Sequence, residues 1–265
     1  MTTGASPGVR APGLASKAFG KLRRLGLITV LLCIWQYVSL FVLDATSRTL
    51  LPPPTTIFTA AWELISSGEL YRHARDSLKR EMVAFLWASI SIPIGIAMGW
   101  SRVVDEQMDT IFEMLRPIPP LAWIPLAILW LGLGDSAKIF LIWVAAFTPS
   151  VINTYAGVRN IDLTLLEAAR VHGARPGRLM AEVLVPGALP MIFTGLRLSL
   201  QASWTTLVAA ELVGSFTGLG KVLSNAALDI NPGMILFAMV WVGILGAAMT
   251  RGLEWLEVKA LPWLR

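Results

Sequence analysis

The chain has 265 residues, 55% of them hydrophobic and only 15% charged, against roughly 25% charged in soluble domains. Its mean hydropathy of +0.65 excludes an ordinary soluble enzyme, and several charge-free runs approach or reach the ~20 apolar residues of a bilayer-crossing helix. The formal charge of +5 is weak support for nucleic-acid binding, because much of the excess flanks apolar runs, where the positive-inside rule places it.

These runs do not alternate polar and apolar residues as barrel strands do. The expected fold class is therefore an all-α polytopic membrane protein with about six transmembrane helices, since backbone groups in lipid must be satisfied within helices. In chain order, residues 1–16 are rich in Gly, Ala, Ser and Pro and are expected to be disordered. Together with Arg10, Lys17, Lys21, Arg23 and Arg24 they make a basic cytoplasmic segment over 1–24. The first span is 25–43; no small-residue cleavage site follows it, so a retained anchor fits better than a signal peptide. Residues 44–81 read as an outer interfacial segment, with amphipathic helices over 55–80 broken at Gly68. Arg72, Arg75, Lys79 and Arg80 there run against the positive-inside rule, partly offset by Glu69, Asp76 and Glu81. The core, 82–252, holds further spans at 82–100, 118–133, 139–158, 190–210 and 234–250 and a polar cytoplasmic loop at 159–189. The third span opens on Pro117, Pro119 and Pro120, which set a rigid entry. The tail, 253–265, lies in the cytoplasm with Trp255 and Trp263 anchoring it at the surface, so both termini face the bacterial cytoplasm across the inner membrane.

Chemistry of its own is not visible. A lone cysteine, Cys33, excludes an intrachain disulfide, and His73 and His172 lack ligand-spaced companions for a metal. The stretch Gly218-Leu219-Gly220-Lys221-Val222 imitates a phosphate-binding loop. Ser215 stands where that loop needs its first glycine, and Val222 where it needs the magnesium-binding hydroxyl. No cofactor is expected in this chain.

The fifth span carries Arg197 and Glu211, charged residues at or within an apolar segment, where charge is costly. They are 14 residues apart, about 21 Å along the axis at ~1.5 Å per residue, too far to pair. Gln201, Trp204 and Val208 share their stripe; Ser199, Ser203 and Thr206 lie opposite, where small hydroxyl residues favour close helix packing. Two readings stand. Either Arg197, Gln201, Trp204 and Glu211 border a translocation path, or Arg197 and Glu211 only anchor the helix ends by snorkelling. For Trp123, Trp130 and Trp143, packing is the better reading than stacking on a solute.

The loop at 159–189 is the most specific feature. Thr164 and Glu167 have capping-box spacing, and Gly173 stands where a short helix would end. Ala168 and Ala169 would let another protein approach the backbone, while Arg170, His172, Arg175 and Arg178 keep the segment in water. Taken alone, the residues suit either a capped loop helix or a docking helix. The pattern Glu167-Ala168-Ala169, then Gly173, then Val183-Leu184-Val185-Pro186 resembles the coupling loop of ABC importer permeases, with Val183 and Val185 as conservative departures. Leu115-Arg116-Pro117-Ile118-Pro119-Pro120, Pro186-Gly187-Ala188-Leu189-Pro190 and Leu207-Val208-Ala209-Ala210-Glu211 resemble permeases of the nitrate/sulfonate/taurine type. The resemblance covers nearly everything after about residue 50. It implies a type I ABC importer permease fold working with a second copy of itself, two ATP-binding ABC subunits and a substrate-binding protein in a lipid bilayer, with no nucleic acid. ATP and Mg would be bound by the partner ATPase, and Glu167, Ala168, Ala169, Arg170, His172 and Gly173 would transmit its force. The implied solute is a small anion such as taurine, another sulfonate, nitrate or bicarbonate. A stand-alone secondary transporter is the alternative; it would need a coupling-ion site near the bilayer midplane, and no cluster of intramembrane carboxylates is visible.

Overall fold

The computed structural model describes residues 14–264. Residues 1–13, with most of the expected disordered segment and Arg10, lie outside the described residues. Described segments are helical throughout: α1 (Leu14–Tyr37), a wide-turn stretch Val38–Val42, α2 (Ala45–Leu50), α3 (Pro54–Ser66), α4 (Glu69–Ala88), α5 (Ser91–Trp100), α6 (Arg102–Leu115), α7 (Ile124–Leu131), α8 (Asp135–Arg159), α9 (Leu163–Val171), the single turn α10 (Pro176–Arg178) leading through a second wide-turn stretch Leu179–Leu184 into α11 (Val185–Leu212), α12 (Leu219–Leu228) and α13 (Pro232–Ala260). The chain divides into two compact units, Met1–Trp62 and Glu63–Arg265.

In the first unit Arg48 closes the end of the apolar helix. Its guanidinium donates to the carbonyls of Ser39 at 3.0 Å and Leu43 at 3.4 Å, placing a cation where a helix C-terminus leaves acceptors unpaired. Ser39, fully buried, donates to the Leu51 carbonyl at 2.7 Å.

In the second unit the described residues contain four helices long and apolar enough to cross a membrane: Glu69–Trp100, Asp135–Arg159, Pro176–Leu212 and Pro232–Ala260. They contain the expected spans 82–100, 139–158, 190–210 and 234–250. The expected span 118–133 is one arm of a pair, Arg102–Leu115 and Pro120–Leu131, bent by 83°. The proline-rich entry lies at that bend, as its missing amides dictate. In the first unit, the expected span 25–43 coincides with Gly26–Val42, a shorter apolar helix.

The break at Gly68 is present, with φ of +74°; beyond it the helical stretch Glu69–Trp100 crosses the expected boundary at residue 81. Hydropathy counted Arg80 and Glu81 against the membrane, yet both are buried, at 4% and 0% exposure, because partners in other helices neutralise or bond them.

The core is built on α8 and α11 with α5 and α4 beside them. Close approach of α8 and α11 depends on missing side chains. A Cβ added at Gly195 would lie 2.8 Å from the Asn153 Cβ and 3.3 Å from the Ser150 Cα. Small residues at such crossings are how membrane helices gain packing where the hydrophobic effect is absent. Gly195→Leu is expected to force the pair apart and destabilise the chain by at least about 1–3 kcal/mol, read as a lowered melting temperature in detergent.

Candidate coupling loop and buried polar cluster

The loop helix α9 is capped at both ends. Asp162, not Thr164, is its N-cap: the carboxylate accepts from the Thr164 amide at 2.9 Å and from the Thr164 hydroxyl. The expected capping box fails because the helix starts two residues earlier than Thr164 requires, so Asp162 takes the capping position and Glu167 is left without a partner among the described residues. At the other end the Gly173 amide bonds the Arg170 carbonyl at 2.9 Å and the Ala174 amide bonds the Ala169 carbonyl at 3.0 Å. This paired return is a Schellman closure, which needs the left-handed conformation that Gly173 adopts at φ +80°. The His172 ring adds a bond from Nδ1 to the Ala168 carbonyl at 2.8 Å.

What α9 presents is unusual for a polar loop. Leu163, Leu165 and Val171 are 70%, 59% and 85% exposed, while Glu167, Ala168 and Arg170 are exposed and Ala169 half-exposed. Thr164 holds the Asp162 carboxyl below its ordinary value of 3.8, first through the hydroxyl and then through the amide. A depressed folded value means that the cap is fully effective above 3.8 and is lost as pH falls through the folded value beneath it. The protection of the Thr164 amide against hydrogen exchange, corrected for intrinsic rate, is therefore expected to hold at neutral pH and fall only below pH 3.8. Asp162→Ala is expected to lose it at every pH.

At the other end of α11, a helix of 28 residues and so about 42 Å long, Glu211 sits in a closed polar cluster. Its carboxylate accepts from Arg80 Nη1 at 2.7 Å, from Ser77 Oγ at 2.8 and 2.9 Å and from the Gly220 amide at 2.8 Å. Arg80 also donates to Asp135 at 2.8 Å and to the Thr217 carbonyl at 2.7 Å and hydroxyl at 2.9 Å. The Leu219 amide donates to Ser77 Oγ at 2.8 Å and the Gly218 amide to His73 Nδ1 at 3.0 Å. The false phosphate loop thus has a physical explanation. Residues 218–220 open α12, whose first amides form a natural anion site, and the chain's own Glu211 carboxylate and the neutral acceptors Ser77 and His73 fill it.

The fifth-span residues stand in different surroundings. Glu211 is enclosed, and Trp204 packs in the core with Leu200, Leu207 and Leu253. Arg197 pairs with Glu257 of α13 at 2.7 Å and is partly exposed, while Gln201 is exposed. Ser199, Ser203 and Thr206 are buried: Ser199 bonds the Ala146 carbonyl, Ser203 bonds Glu81, and the Thr206 hydroxyl turns back to the Ala202 carbonyl of its own helix. Periodicity found the shared face but not what that face meets. His73, Ser77 and Arg80 are not among the site residues expected from the sequence, and the signal that pointed to them is the unexplained basic charge of the 72–80 stretch.

Residues 91–256 match the family model described as binding-protein-dependent transport system inner membrane component. The putative aliphatic sulfonates transport permease of Bacillus subtilis is 38% identical over 93% of this chain and 89% of its own length. The taurine transport system permease of Escherichia coli is 36% identical over 90% and 88%. Among solved structures, an inward-facing MetNI methionine ABC transporter superposes with a TM-score of 0.62 at 20% identity, covering 72% of this chain and 95% of that one, which gives the type I importer permease fold. A helix-rich chain with a capped, exposed loop helix agrees with these likenesses, and the chain belongs to the family of ABC importer permeases, the inner membrane components of binding-protein-dependent transport systems.

Proposed function

We propose that this chain is the membrane half of an ATP-driven importer, paired with a second copy, served by two separate ATPase subunits and fed by a substrate-binding protein. The exposed α9 is the observation that carries this reading. A short helix fixed at both ends, with Leu163, Leu165 and Val171 uncovered and Glu167 to Gly173 facing outward, has the form of a docking element. Closure of the ATPases on ATP would draw the two α9 helices together and rock the spans between inward- and outward-open states. The ATPases bias that equilibrium only through contacts that differ between the two states. Both termini would lie on the ATPase side. The solute is a small organic anion of the taurine or sulfonate kind, by analogy with the relatives named above, and Arg197 and Gln201 are the fifth-span residues available to the path. Trp204 and Glu211 serve instead to hold α11 in place.

A chemical cross-link tests the docking. In a Cys33→Ser background, Ala168→Cys is expected to cross-link to an ATP-binding subunit in native membranes, with a yield that changes on adding ATP. A cysteine at Phe216 is the control at the other end of α11. Cross-linking at Phe216 but not at Ala168 would refute the docking assignment.

A further inference from the structure

A large cavity in the second unit, bordered by α5, α6 and α8, belongs neither to the coupling loop nor to the Glu211 cluster. Its volume is about 540 Å³, within the ~300–1,000 Å³ range of small-molecule sites. Phe140, Trp143 and Phe147 stand at helical spacing on one face of α8, with ring centres 5.9 Å and 5.1 Å apart. Trp123 meets Phe140 edge-on at 6.3 Å. This makes one side of the cavity a continuous aromatic wall.

The polar part of the lining is one-sided. Arg116 and Thr148 contribute, and no carboxylate does among the described residues. Arg116 sits at the 83° bend between Arg102–Leu115 and Pro120–Leu131 and forms no ion pair among the described residues. A cation and an aromatic wall complement a ligand with an anionic head and an apolar tail.

Resting on the importer reading, the geometry points to a solute subsite in the permease itself, in which Arg116 meets the anionic head of an organic anion and the Trp123–Phe140–Trp143–Phe147 wall takes its apolar tail. A tail-less ion such as nitrate leaves the wall unused. The membrane chain would then add selectivity of its own to that of the binding protein.

The test is a titration of the full chain in nanodiscs of neutral phosphatidylcholine with hexanesulfonate, with nitrate and hexanol as the head-only and tail-only probes. Saturable hexanesulfonate binding is expected, about tenfold or more tighter than either probe. Arg116→Gln should weaken it about tenfold, as loss of a charged hydrogen bond does. Phe147→Leu, which removes one ring from the wall, should weaken hexanesulfonate and hexanol a few-fold and leave nitrate unchanged; it also guards against misfolding of the arginine variant. Absence of saturable binding, as when a second copy fills the cavity, would overturn the proposal, as would equal affinity for nitrate. An anionic-lipid arm separates the sources. If phosphatidylglycerol in the nanodisc abolishes hexanesulfonate binding, the site takes a lipid headgroup and the solute assignment fails. Association with an ATPase is scored separately on the same preparation, so the subsite can fail while the importer reading stands, and the reverse.

Discussion

Glu211→Gln is expected to lower the melting temperature of the detergent-solubilised chain by roughly 10 °C, although it changes a single oxygen to an amide. Every group around that carboxylate is a donor: Ser77 and Arg80 at one oxygen, Ser77 and the Gly220 amide at the other. Whichever way the new amide turns, its NH₂ faces a donor, and buried Arg80 keeps only the exposed Asp135 as a counter-ion. Breaking a buried pair from one side costs about 3–5 kcal/mol, and in a chain of this size each kcal/mol moves Tm by about 2–4 °C. The double variant Arg80→Met with Glu211→Leu should recover part of the loss, because removing both charges avoids the orphaned one. Strict additivity of the two single losses would mean that the groups do not interact. A Tm within 2 °C of wild type for Glu211→Gln would show that the cluster is not needed to hold α4, α11 and α12 together.

The second expected effect is on coupling. Glu167 is exposed and makes no hydrogen bond or ion pair among the described residues, so Glu167→Lys should leave stability within about 0.5 kcal/mol, as surface substitutions do. Its effect should fall on the partner: at least tenfold less ATPase recovered with the chain and a matching loss of ATP-driven uptake. Gly173→Val works from the helix end. A β-branched residue at φ +80° is strained, the paired return bonds to Ala169 and Arg170 open, and α9 frays. Transport should fall while membrane insertion is unaffected. Normal uptake in both variants would remove α9 from the mechanism.

How much of this was legible in the sequence varies with the kind of residue involved. Apolar runs placed most of the spans, and Gly68 and Gly173 marked real breaks because glycine at a positive φ leaves a local signature. The N-cap was misplaced by two residues, since Asp162 and Thr164 are both good caps and only the helix start separates them. Arg80 and Glu211 lie 131 residues apart in sequence, and no local pattern joins them. Hydropathy treats each as a charge to be kept out of the membrane and gives no hint that the two are buried against each other. Likewise the stripe from Arg197 to Glu211 was found by period alone, and period does not distinguish a core-facing Trp204 from an exposed Gln201.

The most direct measurement is gentle affinity purification of the tagged chain from native membranes, with identification of what accompanies it. The account predicts a stoichiometric ATPase carrying a phosphate-binding loop, lost from the Glu167→Lys and Gly173→Val preparations and retained in the Arg116→Gln one. A chain that arrives alone and drives uptake in liposomes from an ion gradient, with no ATP, would contradict it and make this protein a secondary transporter.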